Sequence, residues 1–314
     1  MSLDAARTDL LAVCSVRGIS WELVAREAQR SGGVSGLLRG EVHEKSRLAD
    51  AARKLLERSE RLLDDNRAWV QEQHTKAENA GARLLTVLDD DYPTNLRVIF
   101  NLPPFVYVLG SLGAADARAV AVVGTRLPSA EGQSEASRMA RLLAEREVTV
   151  VSGLAKGIDA SAHTACLAAG GRTVAVMGTG ILNRYPKENA GLADRIAGQG
   201  ALISQFWPDA PPRSHNFPIR NVVTSGISQG TVVIEASSTS GAKMQARLAI
   251  EHGKLVFLLE SLVLHQPWAR DYVARHGRRV VVVRTADDVI YQLRSAKQIS
   301  ELTSQRRQLA FDLA

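Results

Sequence analysis

Two short stretches hold the residue types that could do chemistry. Gly124-Thr125-Arg126 and Ser152-Gly153 each set a glycine beside a small hydroxyl, at the end of an apolar run. Glycine lets the backbone come close to a ligand, and Thr125 and Ser152 offer hydroxyls. Arg126 adds a fixed charge and a planar donor fork suited to phosphate. Further on, Arg220-Asn221 and Ser240-Gly241-Ala242-Lys243 bring cations, an amide and a hydroxyl to the starts of two helical stretches. Helix amino termini favour anions. The chemistry these residues suit is phosphate or nucleotide-backbone binding, in a broad polar groove rather than a closed catalytic pocket.

The sets that would make an enzyme are thin. Gly178-Thr179-Gly180 ends one apolar run, but residue 183 is Asn183, so the glycine fingerprint of a dinucleotide site fails. Ser240-Gly241-Ala242-Lys243 has only the tail of a phosphate-loop motif. Asp159 and His163 are four apart and share a helix face. The first reading is that Asp159 orients the phosphate loop while His163 packs; a general base is the other. His74, His163, His215, His252, His265 and His276 are scattered. Neither a paired-histidine helix motif nor a paired-cysteine motif is present, so no metal site is expected. No catalytic residue and no cofactor is assigned.

These groups need elements to position them. From Ala119 onward, apolar runs and helical stretches alternate. Strands are expected near 120–124, 148–152, 173–177, 201–205, 231–235, 254–259 and 279–284, and helices near 129–146, 157–169, 188–198, 217–228, 241–252 and 267–276. Continuous apolar runs mark strands buried on both faces, and the alternation implies a mostly parallel sheet with helices on both sides. Ligands of such sheets sit outside the strand carboxyl ends, where the glycines and hydroxyls fall.

Residues 1–80 read as a small helical domain, with a single long helix from Glu44 to Glu78 carrying Leu48, Leu55, Leu62, Leu63, Trp69 and Val70. That helix either packs on its own domain or forms a coiled coil with a second copy. Residues 81–118 read as a linker with strands at 83–88 and 106–109 that can join the sheet edge. Residues 119–284 form the main domain, and 285–311 reads as an amphipathic terminal helix through Val289, Ile290, Leu293, Ile299 and Leu302.

The chain has 314 residues, 45% of them hydrophobic, and a net charge of +6. This describes a globular protein of about two domains, with a basic excess that permits nucleic acid. Cys14 and Cys166 fall in separate regions, so a reducing cytoplasm is expected rather than a disulfide. No signal peptide is apparent, and no run reaches the roughly 18 apolar residues of a membrane span.

Taken in order, GTR (124–126), SGLAKGIDASAH (152–163), TVAVMGTGILNRYPKEN (173–189), ALISQF (201–206), FPIRN (217–221) and VVIEASSTSGAKMQA (232–246) resemble the DprA/Smf DNA-processing family. The helical start and DDDYPTNL (89–96) resemble that family's amino-terminal region, which suggests a SAM-like helical domain. The resemblance implies an α/β, extended Rossmann-like fold, single-stranded DNA binding, homodimerisation and, in transformation, loading of a RecA-type recombinase, with no catalysis. Carried over residue by residue, it places DNA contacts at Gly124, Arg126, Ser152, Gly153, Gly157, Asp159, Arg220, Asn221, Ser240, Gly241 and Lys243. Thr125 and Lys156 join them from the same loops.

The chain also departs from the family. It has Ser204-Gln205 where the family has Ser-Glu, Arg220-Asn221-Val222 for Arg-Asn-Arg, Gln245-Ala246 for Thr-Ala, and Glu260-Ser261 for Pro-Gly. The unit at 267–284 is unlike typical members, and no winged-helix tail is expected after Arg284. These differences suit a divergent member, with phage defence or a mobile element, and an operon-encoded partner, as alternative settings. Two other classes share the fold. Nucleotide phosphoribohydrolases use a glycine-rich loop ending in glutamate that EASSTSGAKMQA lacks. A SLOG-type nucleotide sensor would bind a signalling nucleotide in the same groove.

Overall fold

A computed structural model describes residues 3–58 and 60–295, with 298 and 301. The helical start forms α1 (Ala5–Ser15), α2 (Trp21–Ala28), α3 (Gly33–Leu38), α4 (Arg47–Glu57) and α5 (Glu60–Asn79). Short polar side chains start three of them: Asp4, Ser20 and Ser46 each accept a first-turn amide. Leu10, Leu11, Leu23, Val24 and Leu37 fill the bundle core.

The single helix expected over 44–78 is two helices, with Arg58 as the C-cap of α4. Its buried face also differs from the leucine stripe. Ala49, Leu56, Leu63, Val70 and Ala77 are buried, whereas Leu48 is 45% exposed. Alanines hold two of those five buried places, and a search weighted to leucine misses them. α5 packs against α1, so this face is used within the chain.

Among the described residues nine strands form one sheet in the order β1-β2-β6-β5-β4-β3-β7-β8-β9. These are β1 (Ala82–Thr86), β2 (Phe105–Gly110), β3 (Ala119–Val123), β4 (Thr149–Ser152), β5 (Thr173–Val176), β6 (Ala201–Ser204), β7 (Gly230–Val233), β8 (Leu255–Leu259) and β9 (Val280–Val283). β1 and β2 are antiparallel and pair onto β6, so residues 82–110 widen the sheet. The other pairings are parallel. Every residue of β3, β4, β5 and β6 is buried, as their continuous apolar runs require.

The connecting helices are α6 (Thr94–Arg97), α7 (Ala130–Glu145), α8 (Ile158–Ala168), α9 (Ala190–Gln199), α10 (Asn216–Ile227), α11 (Gly241–Glu251), α12 (Glu260–His265), α13 (Pro267–His276) and α14 (Ala286–Ile290). From β3 to β6 the crossovers run one way; from β7 to β9 they run the other. Right-handed connections therefore put α7, α8 and α9 on one face and α11 on the opposite one. The contacts agree: α7 packs on α8, α8 on α9, and α10 on α11. The order reverses between β3 and β7, and this switch point is where a crevice opens.

α12 was not expected from sequence. The terminal helix expected over 285–311 is not continuous: α14 ends at Ile290 and residues 291–295, with Leu293, leave the helix, while Ile299 and Leu302 lie outside the described residues. Both cysteines are free and buried. No helix among the described residues is long and apolar enough to cross a membrane.

Candidate nucleic-acid interface

A cleft of about 350 Å³ opens at the switch point. Gly124, Thr125 and Arg126 line it from the end of β3, Gly153, Ala155 and Asp159 from the turn into α8, and Phe217, Arg220, Asn221 and Thr224 from α10. Ser240, Gly241, Ala242, Met244 and Gln245 line it from the start of α11. Four loops that are far apart in sequence thus meet at one sheet edge, because each follows a strand that ends there.

The floor is backbone held by buried charge. Asp159 accepts hydrogen bonds from the amides of Gly153 (3.1 Å) and Ala155 (3.3 Å), which sets the turn after β4. Arg220 is 6% exposed; its Nη1 donates to the carbonyls of Gly153 and Val176, and its Nε donates to Asn221. Its Nη2 makes no hydrogen bond among the described residues. Burial pulls the Arg220 guanidinium below its ordinary value; Asp159 opposes this and Arg126 adds to it. Burial likewise pushes Asp159 up, against the pull of Arg220. At Gly153 a side-chain carbon would lie 2.1 Å from Arg220 Nη1, so only glycine leaves room for the arginine.

The lip is different. Arg126 is exposed, and its guanidinium stands 5.4 Å from the centre of the Phe217 ring. Tyr185, 40% exposed, lies 5.7 Å from the same ring. Neither carboxylate that could have claimed Arg126 does so. Asp159 serves the loop amides, and Glu235 accepts from the amide and hydroxyl of Ser129 at the start of α7. Arg126 makes no ion pair among the described residues. Ser240 caps α11 by accepting from Lys243 N at 3.2 Å, and the first-turn amides of Gly241 and Ala242 have no partner within the helix. Two guanidiniums, an aromatic face and a helix amino terminus therefore converge.

Nine of the thirteen residues expected at the site line the cleft: Gly124, Thr125, Arg126, Gly153, Asp159, Arg220, Asn221, Ser240 and Gly241. Four do not. Ser152 is fully buried and its hydroxyl donates to the Val122 carbonyl at 2.7 Å, so it ties β4 to β3 instead of meeting a ligand. Lys156 is exposed and pairs with Glu188. Gly157 acts through its backbone: its φ is +77°, and a side chain would lie 2.5 Å from the Thr125 carbonyl. Lys243 Nζ stands 5.7 Å from the Trp268 ring, outside the cleft lining. His163 is buried, with Nδ1 2.7 Å from Thr173 Oγ1. Burial, followed by Arg220, pulls it down to about 3, which leaves it neutral and packed.

Sequence reasoning assigned no site contact to Phe217, Tyr185, Met244 or Gln245, although it noted Gln245 as a departure from the family. Helix spacing could have found three of them. Phe217 is three before Arg220, and Met244 and Gln245 are three and four after Gly241, on the same helix faces.

Fold and site together define a Rossmann-like protein with a cleft at its switch point that is lined by two arginines and a helix amino terminus. A family model described as DNA recombination-mediator protein A matches residues 83–294, and the chain belongs to that family, the DprA/Smf family. DNA processing protein DprA of Streptococcus pneumoniae is 36% identical over 195 residues, covering 62% of this chain and 69% of that protein. Protein Smf of Escherichia coli is 38% identical over 205 residues, covering 65% of this chain but 55% of that protein. The crystal structure of the S. pneumoniae protein aligns over 94% of this chain and 99% of its own, with a TM-score of 0.71 and 27% identity. A Helicobacter pylori DNA processing protein A structure shares the fold over 67% of this chain and 94% of its own, with a TM-score of 0.59 and 23% identity.

Proposed function

We propose that the chain binds single-stranded DNA through backbone phosphates in the switch-point cleft, and acts without catalysis in DNA processing or recombination. The observation that carries this reading is Arg126. It is an exposed arginine with no ion-pair partner among the described residues, standing over Phe217 beside the first-turn amides of α11. A cation for phosphate next to a ring for stacking is the pairing that single strands use. Membership of a family whose relatives are named for DNA processing supports it. The unit from 119 to 284 holds the site, and the helical domain at 1–80 stands apart from the cleft lining. We further propose a cytoplasmic homodimer, with a RecA-type recombinase as partner. Placement in phage defence, or an operon-encoded partner, has no feature of the site in its favour.

Competition between single-stranded and duplex oligonucleotides of one length tests this. Single strands should win, because no element is shaped to enter a major groove and the ring needs an unpaired base. Equal or tighter duplex binding would overturn the reading. Adding a RecA-type recombinase to the same single-stranded complex tests the partner: co-retention is expected, and its absence counts against that part.

A further inference from the structure

Gln245 is 2% exposed and lines the cleft, yet neither its Oε1 nor its Nε2 has a hydrogen-bond partner. Among the described residues it is the one buried side chain with two such atoms unmet. It is also the one of that group that reaches the cleft. Buried polar groups are nearly always satisfied, and leaving one unpaired is costly. Gln73, by contrast, spends its Nε2 on Asp209 at 3.0 Å. The open volume beside Gln245 is the cleft itself, and its terminal torsion is soft enough to turn the amide toward an occupant.

We propose that Gln245 reads the edge of an adenine base seated in the cleft. This rests on the single-stranded DNA reading above. A carboxamide offers an acceptor beside a donor. Adenine answers with N6–H beside N7, the pairing glutamine makes in base readout. In an unpaired strand it offers the same pattern again at N6–H and N1. Guanine, cytosine and thymine also offer a matching pair on the Watson–Crick edge, and guanine a further one at N2–H and N3, but on the edge that carries N7 adenine alone sets a donor beside an acceptor. The remaining lining fits a seated nucleotide: Phe217 and Met244 give apolar surface for the base, while Arg220 and the first amides of α11 face its phosphate. Gln245 replaces the threonine expected from the family resemblance, so the readout is a property of this chain and not of the phosphate-binding floor.

The test compares an oligothymidylate with the same length of strand carrying adenine at alternate positions, and free AMP as competitor. The adenine-bearing strand should bind about fivefold to a hundredfold more tightly, the range of one bidentate base contact. Gln245→Leu should abolish that difference, leave the salt dependence unchanged and not lower the melting temperature, since it removes an unpaired amide. AMP should compete only weakly, because it lacks the neighbouring phosphates. Equal affinity of the unmodified protein for the two strands overturns the proposal, as does a preference that survives in Gln245→Leu. Tight AMP binding without strand preference also overturns it, in favour of a free-nucleotide site. Failure to bind either strand would instead overturn the DNA reading itself.

Discussion

Arg126 carries a charge that no carboxylate among the described residues pairs with. Phosphate contacts position a strand without reading its sequence, so Arg126→Ala should weaken all single strands about equally. Losing one charge-assisted hydrogen bond costs roughly 1.5–3 kcal/mol, about tenfold to a hundredfold in affinity. The slope of log affinity against log salt should flatten by about 0.7. The melting temperature should stay put, because Arg126 is exposed and unpaired. Unchanged affinity in a folded Arg126→Ala protein would sink the clamp. At this scale the sequence was partly legible. Arg126 follows a strand-end glycine, and that position alone aims it outward. Ser152 also sits at a strand end, but the Val122 carbonyl takes its hydroxyl. Lys243 has the right charge at the right helix start, yet its long stem reaches Trp268 instead. Neighbours of this kind come from other strands and helices, which spacing along one segment does not reveal.

α10 is the element that joins floor to frame. Its first half brings Phe217 and Arg220 to the cleft. Its carboxyl end is pinned by Lys254, whose Nζ donates to the carbonyls of Ser225 (2.7 Å) and Ser228 (2.6 Å), and by Asn95, whose Nδ2 donates to Ile227 (3.0 Å). Pinned there, α10 has little freedom to retreat if the floor is crowded. Gly153→Ala sets a methyl carbon 2.1 Å from Arg220 Nη1. The guanidinium must leave the Gly153 and Val176 carbonyls, so both stability and single-strand affinity should fall. The stability loss should be about 1–3 kcal/mol, the cost of stranding buried polar groups. Gly198→Ala, in α9 and outside the cleft lining, is the control, since nothing lies within 4 Å of an added carbon there; a denaturant melt and a binding isotherm on each variant read both effects. Equal behaviour of the two would remove Arg220 as the keystone. Strands and helices were legible here because apolar runs of four or five residues alternate with caps such as Ser129 and Ser240. α12 was not, because its six residues, Glu260–His265, are too short a run to show a helical period.

The whole molecule is joined through rings. Trp21 and Trp207 lie 4.9 Å from Phe105, and Trp69 lies 4.8 Å from Trp207, so α2, α5, β2 and the segment after β6 share one aromatic cluster. Sequence could not announce this, because its members come from four distant segments. At the other end, β9 pairs with β8 alone among the described strands, and Val282 is 40% exposed. An open apolar edge invites another strand, and a second copy is the expected occupant. Light scattering at micromolar concentration should return twice the chain mass of 33.9 kDa; a monomer would count against the dimer. The cleft, finally, divides its residues by how free they are to change. Gly153 and Gly157 are hemmed in by Arg220 and by the Thr125 carbonyl. At the lip Arg126 is exposed and Met244 is 40% exposed. Descendants of this chain can therefore retune what they grip by editing the lip, or a wall residue with an unmet amide such as Gln245, while the glycines beneath stay fixed. One ancestral fold can in this way diversify its ligands without ever risking its own collapse.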